Sequence, residues 1–349
     1  MTDYTKRITD LGTTPYTHLS LIDEYRGQWK LVPHLSPQLL ERLKRSVLVT
    51  SAGASTRIEG SRMSDTEVEK LMQGLRTQKM ADRDTQEVRG YYETLRFIFE
   101  QYRELPLTEN TILHLHTRLL KYSEKDVRHT GHYKTMENRV DARGPAGNIV
   151  GVVFETTPAY LTPKAMQELV AWFQSESVGD THPLLLVTAF IVEFLKIHPF
   201  LDGNGRMSRL LTNLLMLRAE YLYVPYVSQE KLIETTKTDY YLALRRSQKS
   251  FGTPDESIAD WAAYFLSVLR EQAELAGKLL VSEDLTTQLS PQQLKVWEYL
   301  DTVAQATPGE IAQATAVPRA TVSQALTRLL ATKQVRRLGS GRTTRYRKV

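Results

Sequence analysis

The sequence predicts a mainly α-helical protein with one short β-hairpin in its body. A small C-terminal domain of three short helices and a second hairpin follows. Three observations carry this prediction. Apolar residues recur at three- and four-residue spacing along most of the first 280 residues. Only one stretch of the body, 123–162, is glycine-rich, and it holds the β-type run Ile149–Phe154. The third is charge: Leu289–Val349 holds ten of the 45 Lys/Arg but three of the 40 Asp/Glu, leaving 35 against 37 in the rest.

In order, Ser36-Pro37 is a helix-start signal, and Leu39, Leu40, Leu43 and Val47 continue a helix to about 59, closed by Gly60. Ser64 and Glu67 form a capping box for the next helix, to about 75. Amphipathic helices follow over about 85–103 and 108–122. A loop with a hairpin at about 138–156 comes next, then helices at 162–175, 183–197, 204–221, 228–247 and 254–280. Residues 1–30 are polar and weakly patterned. A composition break at 281–290 precedes helices at 291–304, 308–314 and 318–332, then strand-like pieces at 334–338 and 343–348. That order is the winged helix-turn-helix layout.

The 349 residues are 41% hydrophobic and 24% charged, with no cysteine. Disulfide frameworks, zinc–thiolate and iron–sulfur sites, and thiol catalysis are thereby excluded. The N-terminus lacks a signal-type apolar core, and the apolar stretch Pro183–Ile197 is too short to span a bilayer. A soluble, cytoplasmic protein with no membrane partner is expected.

The densest chemistry lies in His198–Arg209, HPFLDGNGRMSR, at the junction of two apolar helices. Gly203-Asn204-Gly205 opens the second helix, where exposed N–H groups attract anions. Arg206 and Arg209 are three apart and are expected on one side of the first turn, beside a diphosphate or triphosphate. Asp202 would repel that anion unless a divalent cation lay between them, which implies Mg²⁺. His198 is placed to take a proton from an attacking hydroxyl. Taken singly these pieces are weak; a histidine before a proline is more often structural.

Together they resemble the Fic family motif, HPFx[D/E]GNGRxxR, matching every fixed position from His198 to Arg209. The resemblance extends over roughly 35–280 and implies a Fic-type helical core that transfers AMP from ATP to a Ser, Thr or Tyr hydroxyl of a protein, possibly itself, releasing pyrophosphate. It implies His198 as general base and Asp202 as the Mg²⁺ ligand. Gly203, Asn204 and Gly205 would form an anion hole, with Arg206 and Arg209 on the phosphates. The hairpin resembles the family's flap, which docks a target strand. Ser55-Thr56-Arg57-Ile58-Glu59-Gly60 is similar to the inhibitory motif of N-terminally autoinhibited members. By that resemblance Glu59, with Ser55, would hold Arg209 away from the γ-phosphate. Tyr240 and Tyr241 fall where relatives build an adenine pocket, although a paired aromatic is more often core. Lys134 and Asn138 are weaker candidates for substrate contact. Dimers are common among such proteins. The implied division is a helical region over 1–108, a catalytic core over 109–280 and a winged helix domain over 281–349.

In the C-terminal module the third helix would enter the DNA major groove with Arg319, Thr321, Ser323, Gln324 and Arg328. Arg342 and Arg345 of the hairpin would reach phosphates, while Ala320, Val322, Leu326 and Leu329 look inward. The competing reading of the whole chain is a DNA-binding regulator whose core senses nucleotide.

Overall fold

The structure is a computed structural model. It describes residues 4–8, 11–30, 37–74, 82–143, 149–288, 290–331, 334–339 and 344–348, with the backbone alone over 139–143, 149–155 and 281–288. Two compact units divide at Gly277/Lys278.

After a 3-10 turn at Thr5–Ile8 the first unit runs through α1 (Thr14–Lys30), α2 (Pro37–Ile58), α3 (Asp65–Met72), α4 (Arg83–Gln101) and α5 (Glu109–Leu119). Strands β1 (Arg139–Arg143) and β2 (Ile149–Glu155) pair antiparallel, Arg139 opposite Glu155 and Arg143 opposite Ile149, with two register shifts between. Then come α6 (Thr162–Glu176), α7 (Pro183–Ile197), α8 (Asn204–Arg218), α9 (Gln229–Thr235), α10 (Lys237–Ser250) and α11 (Ala259–Gln288), whose residues from Lys278 on belong to the second unit.

α7 and α8 form the centre. α7 buries nearly every residue because its sequence, PLLLVTAFIVEFLKI, is apolar on all faces. Burying a Leu or Phe side chain stabilises by about 1.5–3 kcal/mol, so this helix anchors the unit. α8 is buried just as completely but carries Arg206, Ser208, Arg209, Thr212 and Asn213 inward. Buried polar groups need partners, and the neighbouring helices supply them. The fully buried Glu230 carboxylate of α9 accepts from Asn213 Nδ2 at 2.7 Å, Ser51 Oγ of α2 at 2.7 Å and Tyr91 OH of α4 at 2.8 Å.

Two segments differ from the sequence expectation. Within the polar N-terminal 30 residues, α1 buries Pro15, His18, Leu19, Ile22 and Trp29 along one stripe. The stripe is diluted by polar neighbours, and long-range contacts hold it: Trp29 stacks on Tyr226 at 5.2 Å, and Asp23 accepts from Tyr221 OH at 2.7 Å. The single helix expected over 228–247 is broken at Thr236. There the hydroxyls of Thr235 and Thr236 donate to the Leu232 carbonyl at 2.8 and 2.9 Å, competing with helix continuation.

The second unit holds α12 (Pro291–Thr302), α13 (Pro308–Thr315), α14 (Arg319–Ala331) and the antiparallel pair β3 (Val335–Leu338) and β4 (Arg345–Lys348). Ser290/Gln293 and Thr307/Glu310 are capping boxes that start its first two helices. Val296, Trp297, Leu300, Ile311, Val322, Ala325, Leu326, Leu329 and Val335 make its core. Ala320, expected to look inward, is exposed, and Ala325 takes the buried position. The apolar stripe is set by Val322 and Leu326, and Ala320 lies off it.

Candidate functional site

The site forms where α7 ends and α8 begins. His198 is the C-cap of α7 and adopts a left-handed conformation, φ 53° and ψ 58°. A non-glycine residue there costs about 1–3 kcal/mol and persists only when its surroundings hold it. His198 Nδ1 lies 3.2 Å from the Leu195 carbonyl. A carbonyl can only accept, so Nδ1 carries the proton and Nε2 is the basic nitrogen. Burial pushes the imidazole down to about 4. The charge of Lys134 adds to that shift, while the Leu195 carbonyl and the carboxylates of Glu59 and Asp202 oppose it. His198 is therefore neutral at physiological pH.

Beyond His198, Asn204 folds back on the loop: Oδ1 accepts from Phe200 N at 2.9 Å and Nδ2 donates to Phe200 O at 2.7 Å. Its side chain is thereby spent on the turn. Gly203 caps α8 with φ 86°, a conformation that favours glycine. At Gly205 a Cβ would stand 2.3 Å from Glu59 Oε1, so only glycine lets that carboxylate approach the helix start.

The two arginines point to different partners rather than to one side. Arg206 is buried and donates to Asp202 Oδ1 at 2.8 Å, with Glu87 of α4 at 3.2 Å. Arg209 is buried too. It donates from Nε to Ser55 Oγ at 2.8 Å, and from Nη2 to the Ser55 carbonyl at 2.9 Å and to Glu59 Oε1 at 2.8 Å. Burial alone would lower the Arg209 pKa, but the Glu59 carboxylate together with Tyr240 and Tyr91 raises it. Arg209 Nη1 is buried with no hydrogen-bond partner among the described residues. Ser55, in the last turn of α2, and Glu59, just past its end, thus meet the start of α8 from 154 and 150 residues away in sequence.

Asp202 is ringed by cations: Arg206, Lys125 at 3.0 Å and Arg83 at 3.7 Å. Burial would raise its carboxyl, but these charges hold it down at about 2. Asp202 offers one ionised carboxylate, and Mg²⁺ commonly takes one or two protein carboxylates and completes its shell with other oxygens. Among the described residues no group of three or more His, Cys, Asp or Glu could hold a metal ion.

Tyr240 is buried, packing edge-on against Tyr241 at 5.1 Å and Trp261 at 5.7 Å. Burial raises both tyrosine hydroxyls, and the Arg209 charge opposes the shift in each. The pair therefore belongs to an aromatic cluster near Arg209 and Glu59. Lys134 is buried and Asn138 half-buried, both turned into the protein.

Several residues of the site carried no local sequence signal: Arg83, Glu87, Lys125 and His116. His116 stacks on Phe200 at 3.7 Å and accepts from Gly131 N at Nδ1, 3.0 Å. It must then donate from Nε2 to the Asp202 carbonyl at 3.1 Å. Burial holds it neutral, down to about 4. None of these is near the motif in sequence, and a lone histidine on an amphipathic helix is unremarkable until the fold places it.

In the C-terminal unit Arg319, Ser323, Gln324 and Arg328 are exposed on α14, and Thr321 is half-buried. Arg345 lies 3.6 Å from Glu310, and Lys348 pairs with Asp301 at 2.6 Å. Arg342 lies outside the described residues.

Fold and site together define a helical protein with a neutral histidine beside an anion seat at a helix N-terminus. Residues 106–216 match the Fic/DOC family. A probable protein adenylyltransferase of Aquifex aeolicus is 29% identical over 165 residues, 47% of this chain and 48% of that protein. The protein adenylyltransferase Fic of Drosophila mojavensis is 28% identical over 61% of this chain and 40% of its own length. The chain thus spans about half or less of these relatives. A crystal structure of a Fic family protein from Desulfovibrio desulfuricans superposes with a TM-score of 0.64 at 25% identity, covering 96% of both chains. A Fic domain containing signaling protein from Bacteroides thetaiotaomicron gives 0.59 at 25% identity over 73% of this chain and 96% of its own. No helix among the described residues is long and apolar enough to cross a membrane.

Proposed function

We propose that this protein is an ATP-dependent protein adenylyltransferase held inactive by its own Glu59. One observation carries the reading: the Glu59 carboxylate lies against Gly205 and on Arg209, in the position the helix N-terminus offers to an anion. A protein that seats its own carboxylate there has a site built for a negatively charged ligand. The names of the relatives supply the nucleotide, and the neutral His198 supplies a base.

In the reaction the target hydroxyl oxygen attacks the α-phosphorus of ATP and His198 Nε2 takes its proton. The bond from the α-phosphorus to the bridging oxygen breaks, and pyrophosphate leaves with that electron pair. Gly203 and Gly205 let the backbone approach the phosphates. Arg209 would bind the γ-phosphate once Glu59 withdraws. Asp202 would hold Mg²⁺, which when bound neutralises phosphate charge. Arg206 keeps Asp202 aimed, and Lys125 and Arg83 add positive charge. Tyr240 and Tyr241, in the aromatic cluster near Arg209, would border the base of the nucleotide.

The test is incubation with α-labelled ATP and Mg²⁺. Glu59→Gly should label itself or a lysate protein more than wild type does, and His198→Ala should label none. No label with Glu59→Gly sinks the enzyme reading.

A second reading concerns the C-terminal unit, favoured by exposed Arg319 and Arg328 on α14 and exposed Arg336, Arg337 and Arg347 on its hairpin. We read this unit as a winged helix that binds DNA, either beside the enzyme activity or, if transfer is absent, as the output of a nucleotide-sensing core. DNA affinity should then fall steeply with salt; a flat salt curve rejects phosphate contacts.

A further inference from the structure

The turn that carries His198 is held from outside itself. The last carbonyls of an α-helix have no intrahelical partner, and a residue in the left-handed region needs compensation. Yet every carbonyl from Phe194 to Phe200 has a donor or ring nitrogen within hydrogen-bond distance. Phe194 O accepts from His198 N at 2.9 Å and Leu195 O from His198 Nδ1 at 3.2 Å. The other five are reached from the two feet of the hairpin. Lys196 O accepts from Thr157 N at 3.3 Å, Ile197 O from Lys134 Nζ at 3.2 Å and Pro199 O from Lys134 N at 2.8 Å. Asn138 Nδ2 donates to Phe200 O at 2.8 Å and, at 3.4 Å, to His198 O.

The two feet are also tied to each other. Lys134 Nζ donates to Asn138 Oδ1 at 2.7 Å and Thr156 Oγ1 at 2.9 Å, and Thr156 Oγ1 lies 2.7 Å from the Asn138 carbonyl. All three protons of the buried ammonium are thereby used. Asn138 precedes β1 and Thr156 follows β2, so the paired strands rise directly from this knot.

We propose that Lys134 and Asn138 are positioning residues that join the hairpin and the His198 turn into one mechanical unit. This rests on the reading of His198 as the base. A target strand laid on the hairpin is then placed, through the knot, at a set distance from Nε2. Lys134 and Asn138 touch no reacting atom; they act through the turn. Their effect falls on the transfer step rather than on nucleotide binding, because the seat formed by Gly205 and Arg209 lies on α8 and is held by α2.

The test uses Asn138→Asp in the full chain with Glu59→Gly. This isosteric change keeps the oxygen that faces Lys134 and removes both donations to the turn. Transfer to protein should fall by about 30- to 100-fold, the scale of a misplacement near 1 Å, while the dissociation constant for Mg²⁺-ATP stays within about threefold. Backbone hydrogen exchange should quicken together in residues 149–157 and 197–201. Thr156→Val should show the same paired change more weakly, and Thr156→Ser, which keeps the hydroxyl, should behave as the parent. Faster exchange in only one segment, unchanged transfer, or an equal loss of ATP affinity and transfer overturns the proposal. If the Glu59→Gly parent transfers nothing, the enzyme reading fails, and the exchange pattern still decides whether hairpin and turn are joined. If Asn138→Asp does not fold, the two Thr156 variants give the same decision.

Discussion

The turn before α8 and the first turn of α8 lie side by side, yet they are held in opposite ways. In the turn, carbonyls from Phe194 to Phe200 are met by groups that are part of the scaffold: backbone N–H groups, a buried ammonium and a half-buried amide. At the start of α8 the carboxylate partner of Arg209 is Glu59, about a third exposed and just past the end of α2. The first arrangement resists change, since removing a donor such as Lys134 Nζ leaves the Ile197 carbonyl without it at a cost of about 1–3 kcal/mol. The second can exchange one anion for another at little cost. A site that must keep its base aimed and still be switched needs both, and here they are separated by a few residues.

The largest effect expected from breaking this pattern is at the base. His198→Ala should lower transfer by about 10²- to 10⁴-fold, measured in the Glu59→Gly background, with the Arg209 region unaffected in ATP binding. Releasing the exchangeable side comes next. Glu59→Gly should raise transfer by about 5- to 150-fold, the usual span of an intramolecular coupling, and Glu59→Gln should fall between, because it keeps a hydrogen bond and loses the charge. Equal rates in all three forms would show that Glu59 is not a brake.

The pH dependence sharpens the same contrast. His198 protonates near 4, and the protonated ring cannot accept a proton. The acid limb of kcat/KM should therefore lie near pH 4 rather than near the usual histidine value. Stability has the same sign. His198 and His116 stay neutral in the fold while the unfolded chain takes up protons below its ordinary histidine pKa. Unfolding free energy should thus fall as pH drops from about 6.5 toward 4. His116→Phe should remove up to about 1.4 kcal/mol per pH unit of that slope, read by denaturant titration. The smallest effect belongs to Lys125→Ala. Its pair with Asp202 is half-exposed, so stability should change by less than about 1 kcal/mol and Mg²⁺-ATP affinity by about two- to fivefold.

Most helices were legible because burial imposes a period that survives in the sequence; Pro183–Ile197 matches to the residue. The capping box at Ser64 was legible for the same local reason. α1 was not, since its stripe is completed by Tyr221, Tyr226 and His182 from far along the chain. At the site the motif announced His198, Asp202 and the glycines. Lys134 and Asn138 drew notice as contacts for substrate, and the fold instead turns them inward onto the turn. Arg206 and Arg209, three apart, suggested a shared target, but side chains on one helical turn part when different helices offer them carboxylates. Arg83, Lys125 and His116 had no signal, because an isolated cation or imidazole has no local pattern to betray it.

The sequence alone determined what is local: a helical body, a turn between two apolar helices, a glycine-opened helix start and a basic C-terminal end. Tertiary structure decided which carboxylate sits on which guanidinium, which ammonium ties the hairpin to the turn, and which cations ring Asp202. The reason is physical. Helix and turn preferences arise between residues a few positions apart. Charge pairing and the satisfaction of buried polar groups depend on distance in space, and here those partners are separated by tens to more than a hundred residues of chain.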